Sequence, residues 1–204
     1  MKHVFYLVNV KNKTKIPPLL TTYVNNRIYN NPQCCCIRLG MVQALQITSM
    51  DSCTSKKQSK PILPQCNPTN IVSLDCEMVG CGAKGKTSAL ARCSIVDYLG
   101  NIIYDSYIKP MKPVTDYRTK WSGIKRIHLS NATPFPEARK LIKRHLSGKY
   151  IVGHDLKNDF HAIKFSTHPL LIKDTSTCLA LRHLAGLPEK QKPSLRKLTG
   201  RYLN

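Results

Sequence analysis

The chain has 204 residues and carries 32 Lys and Arg against 11 Asp and Glu, which gives a formal net charge of +21. This excess indicates a polyanionic partner, although it would fit a ribosomal or membrane-surface protein nearly as well as a nucleic-acid-binding one. The nine cysteines are odd in number and three of them are consecutive, which argues against a disulfide framework. No C-x-x-C pair recurs, so a structural zinc site is not predicted either, and reduced thiols fit best.

Residues 1–69 show no sustained hydrophobic period and are rich in proline, asparagine and lysine. We expect them to form a poorly ordered N-terminal extension, and we expect residues 70–204 to form one folded domain. An apolar stretch at residues 1–10 is broken by Asn9 and is too short to span a membrane. Lys56, Lys57 and Lys60 are a weak signal for nuclear import, and a solvated linker is the favoured interpretation.

The folded part begins with three predicted strands, at residues 71–77, 88–96 and 102–108. A turn at residues 97–101 would join the second strand to the third, and residues 110–122 are predicted to be a long loop or an irregular segment. The folded part is also basic, because residues 71–204 carry 23 Lys and Arg against 10 Asp and Glu, a net charge of +13.

Helices and short strands follow in alternation. Pro136 and Glu137 open a helix that Gly148 closes, and a short strand is predicted at residues 150–152. A further helix carries Asp159. Residues 170–172 lead into Asp174, which would cap a helix that ends at Leu184. Ser194 would cap the last helix. Strands followed by alternating helices and strands predict an α/β domain with three layers and a mixed sheet.

Two carboxylates stand out at the end of the first predicted strand, where an apolar run leads into Asp75 and Glu77. Alternate side chains of a strand point to opposite faces, so these two share a face. Two neighbouring carboxylates that are partly buried repel each other unless a positive charge lies between them. A hard divalent cation with oxygen ligands would supply that charge, whereas an edge strand with a solvated acidic face would need no cation.

A third carboxylate, Asp159, borders the apolar stripe made by Leu156, Phe160 and Ile163 on the predicted helix. From this position it can face the sheet and supply a third oxygen ligand. Asp155, by contrast, is better explained as a turn or N-cap residue.

The segments IVSLDCEMVG, SALARCSIVD, DYRTKWSGI, VGHDLKNDF and DTS occur in this order. In these words the chain resembles the DEDDh 3′→5′ exonucleases of the interferon-stimulated exonuclease type, over roughly residues 70–204. The resemblance implies an RNase H-like fold, a site for two Mg²⁺ or Mn²⁺ ions, and stepwise release of nucleoside 5′-monophosphates from RNA or DNA 3′ ends. It also implies that Asp75 bridges the two ions, while Glu77 and Asp159 each hold one of them.

Other residues near these motifs are candidates for contacts with nucleic acid. Met78 could pack against a terminal base or in the core, and Arg118 could bind a phosphate or sugar because guanidinium binds phosphate through two hydrogen bonds. Tyr117 and Trp121 could stack on bases or pack beneath the loop, and packing is favoured for Trp121. His154 is interpreted as a packed or supporting histidine, and Asp174 as a local hydrogen-bond acceptor.

The resemblance leaves one motif unmatched, since the family places a general-base histidine and a fourth metal-binding aspartate on a later helix. The sequence ends at Asn204 before such a motif, so we expect a truncated last helix and weak or absent turnover. The alternative is a catalytically inactive module that binds nucleic acid. The resemblance further suggests a nuclear, nucleolar setting, with a cytoplasmic one as the alternative, ribonucleoprotein partners, a role in ribosomal RNA processing, and no membrane association.

Overall fold

The computed structural model describes residues 67–188 and 190–202. The N-terminal extension, its cysteine triplet and the proposed import signal lie outside the described residues, so the division near residue 70 stays a prediction. Within the described part, none of the helices combines the length and apolar character that crossing a lipid bilayer requires.

The described residues contain a mixed sheet. Its strands are β1 (Ile71–Cys81), β2 (Thr87–Asp97), β3 (Ile102–Lys109), β4 (Val114–Asp116), β5 (Thr133–Pro134), β6 (Tyr150–Gly153) and β7 (Ile172–Asp174). They lie in the order β5-β3-β2-β1-β6-β7, with the short strand β4 paired to β1. The β1–β2 and β2–β3 pairs are antiparallel, whereas β1–β6 and β6–β7 are parallel.

Six α-helices lie in the same part of the chain. They are α1 (Thr119–Ser122), α2 (Arg126–Ser130), α3 (Phe135–Leu146), α4 (Lys157–Ile163), α5 (Leu179–Leu184) and α6 (Leu195–Tyr202). The predicted strands and helices are therefore present, with ends that differ by a few residues. Of the two predictions for residues 110–122, the long loop is wrong, because this segment contains the short elements β4 and α1.

The largest apolar cluster lies between one face of the sheet and helices α3 and α4. Strand β1 contributes Val72, Leu74 and Cys76 to it, while α3 contributes Ile142 and α4 contributes Ile163. These β1 positions alternate with residues that face the other way, as the pleat of a strand requires. Helices and sheet are thus layered as the sequence predicts.

Two smaller clusters cover the opposite face of the sheet at its two ends. At one end Ile71 of β1 packs with Tyr150 and Leu171. At the other end Val79 packs with Ile124 and with Leu129 of α2. Between Ile71 and Val79, on this same face, lie the side chains of the two carboxylates that the sequence places on β1.

Candidate functional site

Asp75 and Glu77 lie in the middle of β1, next to polar residues of β2. Asp75 is paired with Ser94 and Glu77 with Arg92, and both carboxylates are partly buried. The register then shifts between Glu77 and Met78, so that Ala91 is an extra residue in β2. Such a bulge bends the strand and redirects side chains beside it, which is common next to functional sites.

The positive charge closest to the pair along the sheet already has another partner. Arg92 donates to both carboxylate oxygens of Asp105, at 2.8 and 2.6 Å, and the Ser94 hydroxyl donates to the same carboxylate at 2.9 Å. These hydrogen bonds, above all those from Arg92, lower the pKa of Asp105. Arg92 therefore stabilises the ionised form of Glu77 only through longer-range electrostatic attraction. The Arg92–Asp105 pair was not predicted from the sequence, although both residues alternate with core positions on neighbouring strands.

Asp159 reaches the site because α4 begins very close to β1. A Cβ atom on Gly153 would collide with the side chain of Leu156 and lie 2.9 Å from the carbonyl oxygen of Leu74, so only glycine fits at this point. The chain then turns through Asp155, whose φ of 56° is left-handed, and enters α4. Asp155 is thus a turn residue, as the sequence suggests.

The carboxylate of Asp174, at the end of β7, holds this turn in place. It accepts hydrogen bonds from the backbone amides of Asp155 at 2.9 Å and Leu156 at 3.0 Å. A third bond comes from the amide of Ser176 at 2.8 Å. The prediction that Asp174 bonds locally is confirmed, but its side chain fixes the start of α4, and α5 begins only at Leu179.

The three carboxylates resist ionisation for reasons that the geometry explains. Burial raises the pKa of Asp75, and burial followed by repulsion from Asp75 raises the pKa of Glu77 to about 7. Asp159 is only 7% exposed, and burial together with repulsion from Asp75 raises its pKa to about 7, although hydrogen bonds from Cys76 act in the opposite direction. Asp75 is therefore the centre of an electrostatically coupled group of three acids.

The donor set suits Mg²⁺ or Mn²⁺, since both prefer carboxylate oxygens. The arrangement is nevertheless not closed around a cation, because no group of three or more His, Cys, Asp or Glu within the described ranges is spaced to hold one. The site thus has suitable ligands in an open arrangement.

The candidate contacts to nucleic acid lie beyond Glu77 along β1. Met78 packs against the main apolar cluster, and Tyr117 packs partly buried against the cluster around Val79. Arg118 donates to the hydroxyl of Ser88 at 2.7 Å and to the carbonyl of Gly85 at 2.8 Å. Trp121 does not pack beneath the loop, because its side chain is 77% exposed, and the sequence-based preference for packing is wrong.

His154 occupies a supporting position, as expected. Its Nδ1 lies 2.9 Å from the hydroxyl of Thr175, and burial lowers its pKa. It therefore helps to join β6 to the segment after β7.

Comparison with known proteins agrees with this arrangement. The model of the exonuclease (RNase T) family matches residues 72–202. The chain belongs to this exonuclease family. The match includes β1 with its two carboxylates, α4 with Asp159, and the last described helix.

Two relatives and one solved structure illustrate the similarity. The chain is 46% identical over 144 residues to interferon-stimulated 20 kDa exonuclease-like 2 of Mus musculus, covering 71% of this chain and 39% of that protein. It is 45% identical over 132 residues to RNA exonuclease 4 of Saccharomyces cerevisiae, covering 65% of this chain and 45% of that protein. The chain spans less than half the length of these relatives.

Among solved structures, the Pan2 pseudoubiquitin hydrolase–RNA exonuclease module of Saccharomyces cerevisiae, in complex with AAUUAA RNA, superposes with a TM-score of 0.52 and 25% identity. The match covers 66% of this chain and 25% of that one. The fold expected from the sequence is confirmed as a mixed α/β fold of the RNase H-like type.

Proposed function

We propose that this chain carries a divalent-metal-dependent 3′→5′ exonuclease site that hydrolyses RNA and releases nucleoside 5′-monophosphates. The observation that carries the proposal is the coupled group of Asp75, Glu77 and Asp159, in which two acids have their pKa raised to about 7 around a third. A protein gains nothing for its own stability from such a group. A cation that binds between the acids would relieve the repulsion.

We assign Asp75, Glu77 and Asp159 as the residues that would hold Mg²⁺ or Mn²⁺. Divalent ions bound there would supply the positive charge that helps water attack a phosphodiester and helps the 3′ oxygen leave. The protein contributes the ligand positions, since β1 fixes two carboxylates on one face and Gly153 allows α4 to bring the third. Cys76 restricts the third by hydrogen bonding to Asp159.

RNA is the proposed substrate for two reasons. The relative from Saccharomyces cerevisiae is named RNA exonuclease 4, and the similar Pan2 module is in complex with RNA. The net charge of +13 over residues 71–204 favours a polyanion through phosphate neutralisation. From the resemblance to exonucleases of the interferon-stimulated type, we further propose a nucleolar role with ribonucleoprotein partners, in the processing of ribosomal RNA.

The test is a 5′-labelled single-stranded RNA incubated with the 204-residue chain and Mn²⁺. We expect slow shortening from the 3′ end over hours, in keeping with the weak turnover expected from the sequence, and we expect Asp75→Asn and EDTA to abolish it. Glu137→Gln serves as the matched control, because Glu137 is an exposed carboxylate at the start of α3. Internal cuts, or release of the label as a mononucleotide, would contradict the proposed polarity.

The open spacing of the carboxylates favours a second candidate, a module that binds RNA without cutting it. This alternative predicts that RNA binds equally well in EDTA and in Mn²⁺, with no shortening over hours. It also predicts that Mn²⁺ leaves the thermal midpoint of the chain unchanged.

A further inference from the structure

Beyond the carboxylates, the described surface presents an exposed aromatic side chain at the far end of β1. We propose that Trp121 is a stacking platform for a base of single-stranded RNA upstream of the 3′ end, flanked by cations that bind the phosphates. The proposal rests on the proposed function, because it extends the path of the same RNA. A single exposed apolar side chain is not evidence of a binding site. The hydrogen-bonded backbone that holds Trp121, the cations near it and its place relative to the carboxylates together support one.

The support for Trp121 is rigid. It sits in α1, a four-residue helix that follows Arg118 at φ 51° and ends at Gly123 at φ 67°. The buried hydroxyl of Ser122 donates to the carbonyl of Tyr117 at 2.8 Å and accepts from the amide of Ile124 at 3.0 Å. These hydrogen bonds hold the backbone on both sides of Trp121 in place, which reduces the entropy lost when a base stacks on its side chain.

Positively charged residues flank Trp121 along the chain. The ammonium of Lys120 lies 5.7 Å from the centre of the Trp121 ring. The only acid between residues 109 and 127 is Asp116, and its carboxylate already accepts the amide of Arg118 at 2.8 Å. The exposed cations of this stretch are Lys109, Lys112, Lys120, Lys125 and Arg126. Aromatic rings among lysines and arginines are the usual means of binding single strands without sequence preference.

The segment that carries Trp121 lies beyond the carboxylates in the direction of β1. Asp116 pairs with Gly80, three residues beyond Glu77 on β1. Three strand residues span about 10 Å, and Trp121 follows five residues after Asp116. Arg118 ties this segment to the turn before β2 through Gly85. A strand of RNA whose 3′ end lies at the carboxylates would therefore reach Trp121 with a nucleotide upstream of the cleaved bond.

The chain contains a single tryptophan, so its fluorescence reports on this position alone. In EDTA, where cleavage is prevented, an unlabelled twelve-nucleotide RNA should quench and shift the emission of the wild-type chain. In fluorescence anisotropy with a 5′-labelled RNA, Trp121→Ala should weaken binding about 5- to 150-fold, the range for one stacked base. Trp121→Phe should recover most of the affinity.

The control variant is Leu99→Ala, an apolar side chain that is 64% exposed in the turn between β2 and β3. We expect it to bind RNA like the wild type. Unchanged tryptophan emission on RNA binding, or equal dissociation constants for Trp121→Ala and Leu99→Ala, would overturn the platform. A partner that is a protein would give this result.

The two proposals fail separately. If Mn²⁺-dependent shortening of RNA occurs but Trp121→Ala binds as tightly as the wild type, the platform is wrong and the exonuclease stands. If RNA quenches Trp121 and the Ala variant binds weakly but no RNA is shortened, the platform stands and the exonuclease is wrong. A wild-type chain that binds no RNA contradicts both.

Discussion

Replacing Asp159 with asparagine should stabilise the metal-free protein at alkaline pH. The pKa of Asp159 lies at about 7 in the folded protein, against an ordinary value of 3.8. Because the folded value is the higher one, the contribution of Asp159 to stability is complete below about pH 4 and is lost as the pH rises to about 7 and above. Asparagine cannot ionise and avoids this loss.

The magnitude follows from the rise of the Asp159 pKa from 3.8 to about 7. Each unit corresponds to about 1.4 kcal/mol, so the ionised side chain destabilises the fold by at most about 4 kcal/mol above pH 7. Local relaxation and water reduce this, and we expect about 2–4 kcal/mol. For a protein of this size that is on the order of 4–16 °C in thermal midpoint.

The assay is thermal unfolding of the wild type and Asp159→Asn in EDTA at pH 4.5 and pH 8. The variant should be more stable at both pH values, with a midpoint difference at pH 4.5 of only about a quarter of that at pH 8. Adding Mn²⁺ at pH 8 should stabilise the wild type more than the variant. Glu137→Gln should show no such pattern, and an Asp159→Asn variant that is less stable than the wild type at pH 8 would refute the reasoning.

Two further substitutions test how the site is positioned. Gly153→Ala should destabilise the fold by about 1–3 kcal/mol, because its methyl group would press on Leu74 and push α4 away. Thermal unfolding would measure the loss of stability, and the RNA-shortening assay would measure the effect of displacing α4. Arg92→Ala should remove both hydrogen bonds from Arg92 to the carboxylate of Asp105 and cost about 1–2 kcal/mol at neutral pH, with the difference shrinking as the pH falls, because Arg92 lowers the pKa of Asp105. An unchanged midpoint for either variant would contradict the corresponding contact.

Local patterns in the sequence predict the central strands and the longer helices. The alternation along β1 places Asp75 and Glu77 on one face, and the structure has them there. The helix of Asp159 follows from an apolar stripe, which the structure buries through Leu156 and Ile163. In these elements the local preference for strand or helix agrees with which residues are buried, so hydrophobic periodicity is sufficient to predict them.

The segment at residues 110–122 shows where local patterns are insufficient. Strand β4 is three residues long, and its pairing with Gly80 lies more than thirty residues away in sequence. The outward position of Trp121 depends on left-handed residues and on the bonds of Ser122, which no hydrophobic period encodes. Such features arise from long-range contacts, so the sequence could name Trp121 as a candidate for stacking without deciding whether it packs.

One side of β1 stabilises the fold, and the opposite side carries the candidate functional residues. The side that carries Leu74 and Cys76 is packed against helices and stabilises the fold. The opposite side carries acids whose burial and mutual repulsion oppose folding, and Gly153 and Asp174 hold the third acid beside them. Proteins violate local rules of stability mainly at functional sites, where a ligand compensates. The repulsion at this face is therefore a physical argument for a cation, and it can be measured as a change of stability with pH and Mn²⁺ independently of any cleavage of RNA.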